Sequence, residues 1–214
     1  MNKLNIIFIG DRKSGKTSLL NSLIFPPDTP LTHKYIRTLG IDERYWQLSA
    51  SLLLKIYDIG YYEQRNNETL LQSIIPSCNI ICFIVEAHQT HIGQSVLLQY
   101  KSLLNFANAD ITKALVFTKD DSLSFEPQLT SHPLLTSFEP QIPLHKAFSV
   151  SAFNKASLQL FKDNFTQMIM NLIDSNAHDT AVDVNVNANA IEVKYTTRAN
   201  VQQRKHSLSC FATK

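Results

Sequence analysis

The segment GDRKSGKT (10–17) fits the spacing G-x-x-x-x-G-K-[ST]. Those residue types at that spacing suit one chemistry, the holding of a nucleotide's phosphates. Backbone N–H groups from Arg12 to Lys16 can wrap a β-phosphate, and the N-terminus of a following helix adds its dipole. Lys16 supplies positive charge to the β- and γ-oxygens, and Thr17 can ligate Mg²⁺. The loop residues expected to bind are Asp11, Arg12, Lys13, Ser14, Gly15, Lys16, Thr17 and Ser18.

A second stretch, YDIGYYEQ (57–64), places Asp58 two residues before Gly60. In a nucleotide-dependent switch such an aspartate holds a Mg²⁺-bound water, and a nearby backbone N–H senses the γ-phosphate. Two tyrosines follow, where such a turn favours small residues.

The elements around these segments must put them on one edge of a sheet. LNIIFIG (4–10) reads as a buried strand, and 18–25 has helical spacing before Pro26, Pro27 and Pro30 break the chain. RYWQLSA and SLLLKIYDI (44–59) read as paired strands joined near Ala50–Ser51. Further strands are expected at 79–87, 113–118 and 147–152, with helices at 93–107 and 155–173. Between 122 and 144 four prolines allow only a short helix. The alternation predicts one α/β domain over 1–174, with a mostly parallel six-stranded sheet and helices on both faces. Residues 175–214 contain neither Gly nor Pro and read as a flexible tail.

Composition agrees with one such domain. The chain has 214 residues, 44% of them hydrophobic, and a formal charge of +2, which gives no case for nucleic acid. Cys78, Cys82 and Cys210 make no disulfide framework. No run reaches the roughly 18 apolar residues of a membrane span. Seven scattered histidines show no zinc-ligand spacing. Of five glycines, Gly10, Gly15, Gly40 and Gly60 fall in the loops assigned to nucleotide binding.

Over about residues 3–174 the chain resembles the Ras superfamily of small GTPases, and the Rab family in particular. YIRTLGIDE (35–43) is similar to the Rab effector loop, with Thr38 where the family's switch threonine ligates Mg²⁺. YDIGYYEQ stands where the family writes WDTAGQE, TKDD (118–121) where it writes NKxD, and SVSAFN (149–154) where it writes the SAK loop. The resemblance implies a P-loop GTPase domain that binds GTP or GDP with Mg²⁺. Thr17 and Thr38 would ligate the metal and Asp58 would act through a water. Asp121 would read the guanine ring N–H and amino group, Lys119 would lie along the base, and Ala152, between Ser151 and Phe153, would offer its N–H to the guanine oxygen.

The departures bear on hydrolysis. Tyr61 replaces the family Gly; it would still offer its backbone N–H to the γ-phosphate, but its Cβ resists a positive φ, for which Gly60, one position earlier, could compensate. Tyr62 replaces the Gln that orients the attacking water. Arg12 and Lys13 fill positions that are small in the family; Arg12 either crowds the γ-phosphate or neutralises transition-state charge, and crowding is favoured. Thr118 replaces the Asn of NKxD and keeps one hydrogen bond to the phosphate loop; losing one arm costs about 0.5–1.5 kcal/mol. The expectation is a switch that binds GTP and hydrolyses it slowly.

The resemblance further implies a monomer regulating vesicle traffic. Effectors would use residues 35–46 and 58–70, with Thr38, Ile41, Trp46, Tyr61 and Tyr62 on that surface, and an exchange factor would reload the site. The end, SCFATK, does not fit a prenylation motif, so no intrinsic membrane anchor is expected. The protein would act in the cytoplasm, or reach membranes through partners. Arg204 lies three residues before Ser207, so Ser207 or Ser209 could be phosphorylated and read by a 14-3-3-type protein. The alternative is a pseudo-GTPase scaffold without nucleotide cycling, including a secreted bacterial Rab mimic acting in a host cytoplasm.

Overall fold

The computed structural model of the chain describes residues 2–26, 29, 34–89, 92–120 and 132–179. In chain order these form β1 (Asn2–Gly10), α1 (Lys16–Ile24), β2 (Ile41–Ser49), β3 (Leu52–Ile59), α2 (Tyr61–Asn66) and α3 (Glu68–Ile74). They continue as β4 (Ile80–Glu86), α4 (Gln94–Leu104), β5 (Thr112–Thr118), α5 (Pro133–Phe138), β6 (Lys146–Val150) and α6 (Lys155–Asp179). The expected strands and helices are present, including one short helix in the proline-rich stretch. α6 runs beyond the expected end at 173, because nothing from Asp174 to Asp179 is a helix breaker. The chain divides into two compact units, 1–169 and 170–214, and the described part of the second is the end of α6.

The six strands form one sheet in the order β2-β3-β1-β4-β5-β6. β1 pairs in parallel with β3 and with β4, and β4–β5 and β5–β6 are also parallel. β2 runs antiparallel to β3 at the end of the sheet, with a register shift between Gln47 and Ser49. Two ion pairs mark this end: Lys55–Glu43 at 2.8 Å and Arg44–Asp42 at 2.6 Å.

Why these segments form strands is visible in their burial. Ile6 to Ile9 and Ile80 to Ile84 are all fully buried, as strands covered on both faces require. Alternate residues serve opposite sides. Ile7, Ile9, Ile81, Phe83, Leu115 and Phe117 join one core with Leu71 of α3, Leu97, Tyr100 and Leu103 of α4, and Phe138 of α5. On the other side Phe148 meets Phe161 and Phe165 of α6 edge-on, with ring centroids 5.4 and 5.7 Å apart. Each such aromatic pair adds about 0.5–1.5 kcal/mol beyond its burial.

Strand order places the functional candidates. β1 has β3 on one side and β4 on the other, and from β4 the chain continues outward through β5 and β6, so the carboxyl end of β1 is the point where a crevice opens in sheets of this kind. Gly10 and the GDRKSGKT loop leave the sheet there.

Candidate functional site

The loop from Asp11 to Gly15 turns back on itself, with the Ser14 N–H donating to the Asp11 carbonyl at 3.2 Å. Lys13 and Gly15 take left-handed conformations, at φ 65° and 89°. Gly15 is needed twice over: its φ is one that side chains resist, and a Cβ there would lie 3.3 Å from the Thr118 hydroxyl. Gly15 is followed directly by α1, so the loop's N–H groups and the helix N-terminus share one place, and Ser18 lies in the first turn.

Lys16 is buried, and its ammonium donates to the carbonyls of Gly10 at 2.8 Å and Asp11 at 2.9 Å. Burial lowers its pKa from 10.5 to about 8, while the charges of Asp58 and Asp11 act the other way.

Thr17, Thr38 and Asp58 come from three distant segments and meet. The Thr17 hydroxyl donates to Asp58 Oδ2 at 2.5 Å and lies 3.0 Å from the Thr38 hydroxyl, which in turn lies 3.4 Å from Asp58 Oδ2. Asp58 is fully buried. Burial raises its pKa above the ordinary carboxylate value, and the Thr17 hydrogen bond and the Lys16 charge oppose that rise. Its second oxygen, Oδ1, is buried without a hydrogen bond to the protein. A buried carboxyl oxygen lacking a protein donor, beside two hydroxyls, is a donor set that suits a hard, partly hydrated cation such as Mg²⁺. Among the described residues no cluster of three His, Cys, Asp or Glu side chains could hold a metal by itself. Any cation here would therefore need phosphate or water oxygens to complete its shell.

The segments at 35–43 and 57–64 are locked together. The Gly60 N–H donates to the Gly40 carbonyl at 3.0 Å, and a Cβ on Gly60 would run into the Thr38 carbonyl and the Glu63 carboxylate. Gly60 is thus required by close approach and not by a positive φ. The strain expected at Tyr61 does not arise, because Tyr61 opens α2 and is absent from the positive-φ residues. Tyr62 is 58% exposed, with the Arg37 guanidinium 5.5 Å from its ring centre. Arg12 and Lys13 are also exposed, and both place their charge over Tyr35, at 5.5 and 5.8 Å.

The exposed aromatic of β2 is Tyr45 and not Trp46, which is half-buried because it falls on the inward-facing alternation of that strand. Ile36 and Leu39, on either side of Thr38, are far more exposed, at 69% and 74%.

At the other end of the crevice, the buried Thr118 hydroxyl lies 2.5 Å from the Ser14 carbonyl and 3.0 Å from that of Val85. With one proton it satisfies one of them at a time. Lys119 has φ 57° and pairs with Glu86 at 3.0 Å. Asp120 accepts a hydrogen bond from Ser149. Asp121, Ser207 and Ser209 lie outside the described residues. The Ser151 N–H bonds the Ser157 hydroxyl at 3.0 Å, while Ala152 and Phe153 line a groove of about 240 Å³ with Phe25, Lys155 and Lys162.

One residue of the site escaped the sequence reading. The Gln64 side chain is buried, accepting from the Gly10 N–H at 3.1 Å and donating to the Ile59 carbonyl at 2.7 Å. Its only sequence signal is a position five residues after β3. A polar residue there is unremarkable until α2 is seen folding back over the loop.

No protein-family model matches this chain, and comparison with curated proteins finds no significant relative.

Proposed function

We propose that the chain is a GTP-binding switch of the small-GTPase kind, Rab-like in its motifs, that hydrolyses its nucleotide slowly. The observation that carries this reading is the meeting of Thr17, Thr38 and Asp58 beside Lys16 at the carboxyl end of β1. Asp11 to Ser18 would hold the phosphates, and Thr17, Thr38 and Asp58 would hold Mg²⁺. Thr118, Lys119 and the 151–153 loop would face the base, with Asp121 as its reader. Bound Mg²⁺ would neutralise phosphate charge. Slow hydrolysis is expected because residue 62 both carries a phenol and points to solvent, so neither its chemistry nor its position orients an attacking water. The exposed Ile36, Leu39 and Tyr62 would meet effectors, in keeping with a regulatory role in vesicle traffic.

A pseudo-GTPase scaffold is the second reading. It is favoured by the hydrogen bonds through which Lys16 is already satisfied by its own loop.

The deciding experiment extracts nucleotide from the purified full chain and identifies it by chromatography, with Lys16→Ala alongside. Near-stoichiometric GTP, lost in the variant, supports the slow switch. GDP means hydrolysis proceeds despite Tyr62, and no nucleotide in either protein supports the scaffold.

A further inference from the structure

Gln64 occupies an unusual place. β1 and β3 pair up to Phe8 and Asp58, and beyond that rung they separate. The separation leaves the Gly10 N–H and the Ile59 carbonyl facing each other without a backbone bond between them. The Gln64 amide fills the gap, accepting from the first and donating to the second. It does the work of a missing peptide group, but it is carried by α2. On its far side, the Gly10 carbonyl accepts from the Lys16 ammonium. A buried hydrogen-bonded path therefore runs from Ile59 through Gln64 and Gly10 to Lys16.

α2 has a second tether and an open outer side. Gln99 of α4 donates to the Gln64 carbonyl at 3.2 Å, which fixes the backbone of α2 at the same residue. Tyr62, Arg65 and Asn66 are exposed on α2. Whatever displaces α2 must withdraw Gln64, and with it the group holding the first N–H of the phosphate loop.

We infer that Gln64 is a positioning residue through which α2 sets the phosphate loop and Lys16, so that withdrawing this one side chain loosens α2 and the loop together and weakens the loop's hold on a phosphate ligand. The consequence for ligand release rests on the nucleotide reading; the coupling itself does not.

The test uses the full chain and Gln64→Met, which keeps the volume and removes both hydrogen bonds. Hydrogen exchange is followed by mass spectrometry without nucleotide. A core variant remote from the loop, Leu135→Ala, controls for lost stability. In Gln64→Met, peptides covering 10–16 and 61–66 should both exchange faster, by about two- to tenfold, while those covering 112–118 stay unchanged. Faster exchange at 61–66 alone, or the same pattern in the control, would overturn the coupling. Release of a fluorescent GDP analogue is then measured on the same proteins. Release should be faster in Gln64→Met and unchanged in Leu135→Ala. Coupled exchange in a chain that binds no analogue would sink the nucleotide reading and leave the coupling standing.

Discussion

The Thr17 hydroxyl and the Asp58 carboxylate, 41 residues apart in sequence, lie 2.5 Å apart at the end of the sheet. The contact joins the first turn of α1 to the end of β3, and the second carboxylate oxygen lacks a protein donor. Asp58 has its pKa raised in the fold, so ionising it works against stability. Its favourable contribution is present at acid pH and is lost as pH rises through the folded value. Asp58→Asn should therefore raise the Tm of the cation-free chain at neutral pH and remove any stabilisation by Mg²⁺. Thermal melts with and without Mg²⁺ and nucleotide check both; a lower Tm for the variant would count against the reading.

Lys16 gives the opposite sign. Its folded pKa of about 8 lies below the ordinary 10.5, so between those values the unfolded chain binds a proton that the folded chain does not. Stability from this group rises with pH across that window and is flat below it. Denaturant titrations at pH 8 and pH 10 should show the rise in the native chain and not in Lys16→Met. A phosphate ligand would favour the charged amine, so its affinity should fall as pH climbs above 8.

The Thr118 hydroxyl is wedged between two carbonyls in a buried position. Thr118→Val keeps the shape and removes the donor, leaving a carbonyl unsatisfied, and should cost about 1–3 kcal/mol. Gly15→Ala forces a Cβ into a left-handed φ against the same hydroxyl and should cost at least about 1–2 kcal/mol. Urea unfolding measures both, and the double variant should fall short of additivity because the two sites touch.

Tyr62→Gln would give the proposed switch an amide at position 62 in name only. The side chain at 62 faces solvent over Arg37. The substitution alone should raise single-turnover hydrolysis by less than about tenfold, the worth of one net hydrogen bond. A larger gain would mean that α2 brings residue 62 to the phosphates once nucleotide binds.

Most of the sheet was legible because its strands are continuous apolar runs buried on both faces, and such runs leave little choice of element. The meeting of Thr17, Thr38 and Asp58 was expected only through the resemblance: Thr17 and Asp58 stand at a helix start and a strand end, but Thr38 lies in the loop before β2, which no periodicity places. Side-chain partners were not legible. Nothing in the sequence tells that Gln64 turns inward while its neighbour Tyr62 turns out, since that depends on how α2 folds back across the gap between β1 and β3. Nor does it tell that Arg12 rests on Tyr35, a contact between two loops. The strain expected at Tyr61 assumed a turn with Gly-like φ, and a helix start replaced that turn.

The terminal strand β2 carries a consequence for handling the protein. One side of its backbone has no strand neighbour among the described residues, and such an edge is a template for pairing with another molecule. The Lys55–Glu43 and Arg44–Asp42 pairs put charge along that margin, and the register shift at Gln47 breaks its regularity. A second chain that tried to extend the sheet would have to strip water from those charges and match an irregular backbone. The β2 edge is thereby a poor template for intermolecular β-pairing.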